Sequence, residues 1–353
     1  MLHLGRGRMF RALALVIWPT WALAQAPAPE DQNIDPVRAL ATIGASDQRV
    51  IADWVSAKLS ILSAEAGKDP VAAMLNARKS FSGLFSRSGN TPAFQTELAK
   101  QITESVAGQL GKGDIKPAMS RPLARILADL NRVETVPALL LGLKSTDSAT
   151  RFLNARAIAA LKSAIAAEKD LLDMTIAAIK QAGPSETSPV VVSQFYVSLS
   201  SPQQVALVMD PMLAIMEKRL ESRRAGAAVE DGAELDAYEF FRAQGVISAL
   251  TPEQKNRLVN ALAGFLRFDA ERYGATKLTA TEIEHLTRCL DGIESILADL
   301  GIKGGDIRNE LSLGGVERHA EVLAQARLWI GDKEGAKPGA LNAAPFNVPL
   351  GAM

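Results

Sequence analysis

The sequence predicts an all-α protein, an irregular α-solenoid built from antiparallel helix pairs, and three observations carry that expectation. Alanine and leucine crowd every segment, while aromatics make up 5% of the chain with only 3 tyrosines, and the β-branched alternation of strands is missing. A small polar or acidic residue followed by proline recurs along the chain, the grammar of a capped helix start. Between these starts the apolar residues fall three and four apart, and glycine breaks leave short links, so neighbouring helices turn back on one another.

The first element is an export leader. "MLHLGRGRMFRALALVIWPTWALAQAPAPE" carries Arg6, Arg8 and Arg11, an apolar run from Ala12, and Ala22-Leu23-Ala24 before Gln25, the three parts of a secretory signal peptide. A membrane span needs about 20 apolar residues, and Pro19 interrupts this run. Residues 1–24 are therefore expected to be cleaved after Ala24, since cutting after Ala26 would leave Pro27 at the new terminus. The location that follows is periplasmic or secreted, with no stable membrane span after cleavage. Loss of three arginines lowers Lys+Arg from 39 to 36 against 39 acids. A nucleic-acid binder needs a basic excess to displace counterions from phosphate, so that class is excluded. Cys289 is the only cysteine; an exported chain with one thiol has no internal disulfide and relies on apolar packing.

Residues 25–34, "QAPAPEDQNI", read as a flexible linker. A helical array then occupies 35–330. Its helix starts are Asp35-Pro36, Asp69-Pro70, Thr91-Pro92, Ser201-Pro202 and Thr251-Pro252, with capping-box spacing at Ser201/Gln204 and Thr251/Gln254. Ile51, Val55, Leu59 and Leu62 form one apolar stripe, and Ile283, Leu286, Leu290, Ile293, Leu297 and Leu300 form another. Gly67, Gly111, Gly183, Gly226 and Gly301 break the helices. "RLESRRAGAAVEDGAELDAYE" is a longer loop, basic then acidic, and marks a candidate sub-boundary near 224–233. Residues 331–353, with proline, glycine and no period, read as a disordered tail.

The centre of the array is the most regular. Val136, Leu139, Leu140 and Leu143 occupy positions i, i+3, i+4 and i+7, with Pro137 in the first turn. The turn "KSTDS" follows, then Arg151 and a second helix whose Ile158, Leu161 and Ile165 share a face. Before it, "RPLARILADLNRVET" reads as the second helix of a preceding unit. From Arg121 to Ile165 the chain resembles the HEAT-repeat family, and within it the short bacterial HEAT-like repeats: leucines and proline in the first helix, Asp147 in the turn, Arg151 early in the second. It departs from that pattern at Thr150 and Asn154, where valine and alanine are usual. Further second helices are expected near Ser188, Glu234 and Thr281, a spacing within the range of HEAT arrays. The resemblance implies a HEAT-like superhelix with an extended concave face. It also implies that Asp147 accepts from backbone amides and that Arg151 bridges to it.

No residue is assigned a catalytic, cofactor-binding or metal-ligating role. His285 and Cys289 lie four apart, but Cys289 falls on the apolar stripe, where a free thiol packs as a small hydrophobe, and a closed zinc site needs about four ligands. "GKGD" at 111–114 and "GIKGGD" at 301–306 lack the spacing of a phosphate loop and read as helix-helix turns. Acid pairs such as Glu282/Glu284 and Glu230/Asp231 are solvated charges unless a cleft joins them. Asn154 is expected to be partly buried and to tie its helix to a neighbouring loop. "FYVSL" at 195–199 and Phe240-Phe241 are expected in the core.

The function expected from these features is that of an exported, non-catalytic, HEAT-like scaffold, not an enzyme and without cofactor, taking a protein or peptide partner on its concave face in the cell envelope. An α/α-toroid enzyme acting on an envelope carbohydrate is the first alternative, which the low aromatic content disfavours. A structural envelope component is the second. A bilin lyase, implied by relatives of the same short repeats, is disfavoured by the export signal.

Overall fold

The computed structural model describes residues 33–112, 115–227, 232–274, 277–314, 316–332 and 336–348. The expected signal peptide, its cleavage point after Ala24 and nearly all of the 25–34 linker lie outside the described residues, as do Gly113, Asp114 and the Glu230/Asp231 pair. Among the described residues the protein is all-α: seventeen α-helices and short 3-10 turns, with one isolated bridge between Asp332 and Lys337.

In chain order the helices are α1 (Asp35–Arg38), α2 (Ala45–Ala66), α3 (Pro70–Phe85), α4 (Pro92–Leu110), α5 (Pro117–Leu130) and α6 (Val136–Gly142). They continue with α7 (Ser148–Ala160), α8 (Lys162–Ala167), α9 (Lys169–Ala182), α10 (Pro189–Leu199), α11 (Val205–Arg224) and α12 (Leu235–Phe241). The last are α13 (Val246–Ala249), α14 (Pro252–Tyr273), α15 (Ala280–Asp299), α16 (Ile307–Ser312) and α17 (His319–Ile330). The expected second helices near Ser188, Glu234 and Thr281 are α10, α12 and α15.

Three of the five expected starts are capped as the chemistry dictates. The Asp69 carboxylate accepts from Val71 N at 3.1 Å and Ala72 N at 3.0 Å, and Thr91 accepts from Phe94 N. Thr251 and Gln254 close a full capping box. Two starts differ. Asp35 is inside α1, where it pairs with Arg38 and Arg87 instead of capping. Ser201 leads into a 3-10 turn, Pro202–Gln204, without a side-chain cap. Helices end at or just before each of the five expected glycines; Gly226 and Gly301 adopt φ of 78° and 79°, a conformation that costs a side-chain-bearing residue energy.

The long helices sort into two layers by what they pack against. In the first, α2 packs on α4, α4 on α6, α6 on α9, α9 on α11, α11 on α14 and α14 on α17. In the second, α3 packs on α5, α5 on α7, α7 on α10, α10 on α12 and α12 on α15. The layers meet at α2–α3, α4–α5, α6–α7, α10–α11 and α14–α15. Contacts give the directions. Asn76, early in α3, donates to Glu65 at the end of α2, so that pair is antiparallel. Arg121 near the start of α5 meets Asp147, the cap of α7, so second-layer neighbours run parallel. This order is compatible with a solenoid of stacked pairs.

The apolar stripes supply the core. Ile51, Val55, Leu59 and Leu62 are buried, as are Val136, Leu139 and Leu140 of α6 with Leu143 just past its end, and one core cluster takes in residues on both sides of 224–233. Burial at about 25 cal/mol per Å² of apolar surface drives the stacking.

Two expectations need correction. The second helix of the central repeat does not run to Ile165: at Leu161 the backbone tightens, its amide shared between Ala157 O and Ile158 O, and α8 follows from Lys162. The stretch 336–348, expected within a disordered tail, is folded onto α17. Leu341 and Val348 are buried, Val348 N donates to Leu341 O at 2.9 Å, and Asn342 bridges to Val348 O. Period-free sequence still docks when two aliphatic side chains find an apolar site.

Layer contact is closest at Gly142, the last residue of α6. A Cβ there would lie 2.3 Å from Asn154 Nδ2 of α7, a fully buried side chain. Gly142→Ala is expected to lose about 1–3 kcal/mol through overpacking, measured as a lowered urea midpoint with an unchanged slope.

Candidate interaction surface

Along the second layer, each helix start reaches for the next. Asp147 caps α7, accepting from Thr150 N at 2.9 Å and Thr150 Oγ1 at 2.7 Å. Its partner across the layer is Arg121 of α5, which donates from Nε at 2.9 Å and Nη2 at 2.6 Å in a bidentate fork. The Arg121 hydrogen bonds hold the Asp147 carboxyl well below the usual carboxylate range, against the opposing effect of burial.

Arg151 corrects the pairing implied by the resemblance. It does not bridge to Asp147 but donates bidentately to Glu186, at 2.6 and 2.9 Å, in the turn before α10. Its Nη1 also donates to Ser145 O and Thr146 O. The arrangement repeats once more, with the Ser193 hydroxyl of α10 donating to Asp236 at the start of α12. One donor near each helix start thus ties to an acid one helix further on, from α5 through α12.

The two departures from the repeat pattern have local reasons. Thr150 spends its hydroxyl on Asp147 and on Ser120 of α5, 2.8 Å away, both Ser120 and Thr150 being fully buried. Asn154 is fully buried and donates to Thr150 O of its own helix at 2.7 Å, not to a loop, and it occupies the space left by Gly142. A threonine alone suggests neither contact in sequence; only the Gly142/Asn154 size match offered a signal.

A second polar centre escaped the sequence entirely. Arg219 of α11 pairs with Glu234 before α12, their side chains 5% and 2% exposed. One turn on, Arg223 meets Asp269 of α14 at 2.7 Å and lies over the Phe265 ring at 5.3 Å. Tyr196 and Tyr238 are buried nearby, and burial raises both phenols well above their ordinary range. Their hydroxyls have no hydrogen-bond partner among the described residues. The sequence reads Arg219, Arg223 and Glu234 as part of a longer loop; the two arginines instead complete α11, and the packing of α11 on α14 decides their burial.

The remaining sequence candidates are placed as follows. Cys289 is buried beside Leu286, Leu290 and Ile293, and His285 packs against Gly232. Among the described residues no three His, Cys, Asp or Glu side chains are grouped to hold a metal. Residues 301–306 form the turn between α15 and α16. There Gly304 lies flat on the Trp329 indole, and Asp306 caps α16. Glu282 is spent in the Thr279 capping box and on Arg272. Phe195, Tyr196, Phe240 and Phe241 are core residues.

Open grooves lie between the pairs. One of about 440 Å³ has Lys144, Gln181, Arg151 and Glu186 over an apolar floor of Leu140 and Leu143. Another, about 630 Å³, is lined by Ser56, Ser60, Ser63, Ser105 and Gln109 of α2 and α4. Neither brings two carboxylates face to face. Val71, Leu75 and Val190, 63%, 55% and 54% exposed, put aliphatic side chains on the outside of the second layer. In comparisons with protein-family models, curated proteins and solved structures, nothing matches this chain. No helix among the described residues is long and apolar enough to cross a membrane.

Two outcomes follow from these contacts. Asp147→Asn keeps an amide oxygen that can still cap α7 but removes the charge and the second acceptor oxygen of the Arg121 fork, an expected loss of about 1 kcal/mol at neutral pH. Because the Arg121 contacts lower the folded-state pKa of Asp147, the native advantage is present above the unfolded value of about 4 and is lost progressively as pH falls from there through the lower folded value. Urea midpoints of the two proteins should converge toward acid. Tyr196→Phe deletes a hydroxyl without a partner, so its midpoint should match or slightly exceed that of the parent; a drop of more than about 1 kcal/mol would reveal an unseen hydrogen bond.

Proposed function

We propose that this protein is an exported, HEAT-like scaffold that binds a protein or peptide partner in the cell envelope without chemically changing it. What carries the reading is the second layer: six helices packed in sequence, four of them (α5, α7, α10 and α12) joined start to start by Arg121–Asp147, Arg151–Glu186 and Ser193–Asp236, with Val71, Leu75 and Val190 displayed on its outside. Such a layer is rigid, long and partly apolar, the properties an extended recognition surface needs. The partner is placed along the exposed side of this layer. Polar groove residues such as Arg151 and Glu294 are already tied to neighbouring acids or backbone amides. The leader at residues 1–24 supports the envelope location.

Affinity capture of the processed protein from envelope extract, followed by mass spectrometry, tests the reading. A discrete partner should be recovered, and it should be reduced at least tenfold when Leu75→Asp and Val190→Asp are introduced together. Turnover of an envelope glycan with no partner recovered would replace the scaffold with the toroid enzyme.

A further inference from the structure

Charge on the second layer is sorted by position along the stack. Together α3, α5 and α7 carry Arg78, Lys79, Arg121, Arg125, Arg151 and Arg156; the acids among them are Asp129 in α5, the cap residues Asp69 and Asp147, and Glu186, which pairs with Arg151, so bases outnumber acids six to four. The next helix, α10, has no charged residue. Then the sign reverses: α12 carries Asp236 and Glu239, and α15 carries five acids against Arg288. The first layer is not sorted in this way. There α2 has Arg49 and Lys58 with three acids, and α14 has four bases with three acids. A formal net charge of zero hides this division.

The folded geometry presents much of this charge outward, while Glu294 and Arg151 are largely enclosed. In the basic half, Asp129 and Asp147 are sunk, 12% and 10% exposed, while Arg78 and Arg121 stand over them at 44% and 50%. An approaching group therefore meets guanidinium first. Asn154 faces Gly142 of α6, and Arg156, two residues on and about 200° round the helix, points away from the first layer. Lys79 is exposed one turn beyond Leu75, and Val71 lies one turn before it. In the acidic half Glu239 of α12 reaches Arg288 of α15 at 3.4 Å, both more than half exposed, and Glu284 is exposed one turn earlier.

We infer that this face binds an extended polypeptide segment of the opposite polarity: an acidic end with aliphatic side chains over α3, α5 and α7, and a basic end over α12 and α15. The inference rests on the scaffold reading and adds the partner's chemistry to it. A uniformly charged segment is attracted by one half and repelled by the other, so only a polarised one gains along its whole length. The length follows from the packing. Neighbouring helices sit about 8–10 Å apart, so six span roughly 45 Å, matched by about 14 extended residues at ~3.3 Å each. Val71 and Leu75 set the aliphatic requirement at the acidic end.

The test is fluorescence anisotropy at low salt with synthetic peptides of about 15 residues. One carries a Glu/Leu block, a neutral centre and a Lys block; the control has the same composition with the charges mixed. The block peptide should bind at least tenfold more tightly than the mixed one and lose that margin in high salt. The paired variants Lys79→Glu with Arg156→Glu, and Glu239→Lys with Glu284→Lys, should each weaken it tenfold while leaving the helical circular dichroism intact. Equal binding of block and mixed peptides, or unchanged binding by either folded variant, overturns the inference. So does a salt-dissociable dimer in sedimentation that the block peptide cannot displace, which would make a second copy the occupant. If the folded Lys79→Glu, Arg156→Glu protein still captures its partner from envelope extract, the scaffold reading stands and the polarity inference falls.

Discussion

Every pair of helices in this protein has an apolar side too wide for the pair itself to cover, and the rest of the architecture follows from that deficit. α6 is the clearest instance: Val136, Leu139, Leu140 and Leu143 occupy two turns, and all are buried only because α4, α7 and α9 close around them. A helix this short has little stability of its own. Its existence depends on neighbours, and their existence on it, so the two layers form as a continuous stack and one core cluster extends through both.

Apolar packing sets how much surface meets but only weakly where helices stop sliding past one another. The start-to-start contacts of the second layer supply that register. Arg121 can form its fork on Asp147 at one offset of α5 against α7, and Arg151 fixes α7 against the turn before α10 in the same way. Gly142 and Asn154 add a steric key between layers. A half-exposed pair such as Arg121–Asp147 adds little to stability; the main effect of these contacts is geometric. Further along, the same purpose is met from inside, by the sunken pairs Arg219–Glu234 and Arg223–Asp269, whose desolvation makes them poor stabilisers but exacting in geometry.

A chain of balanced formal charge can still carry a strong field if the signs are sorted on one layer. Here the sorting is confined to the second layer, while the first mixes its signs helix by helix. The separation costs self-repulsion within each half, which the sunken aspartates reduce. Such an arrangement has the character of a recognition surface more than of a stabilising device.

The amino-acid sequence by itself determined the helical class, the positions of α10, α12 and α15, the caps at Asp69, Thr91 and Thr251, and the glycine stops, because each depends on residues within a few positions of one another. It also placed Cys289 and the aromatic residues at 195–196 and 240–241 in the core, since period alone shows which side a helix hides. It missed what depends on distant neighbours. The partner of Arg151 is Glu186 and not Asp147, 336–348 docks instead of hanging free, and Arg219 and Arg223 are buried. The polarity of the outer face was equally invisible, for which charges share a side depends on which helices share a layer. Local rules choose the helices; only the order in which they stack decides which side chains meet.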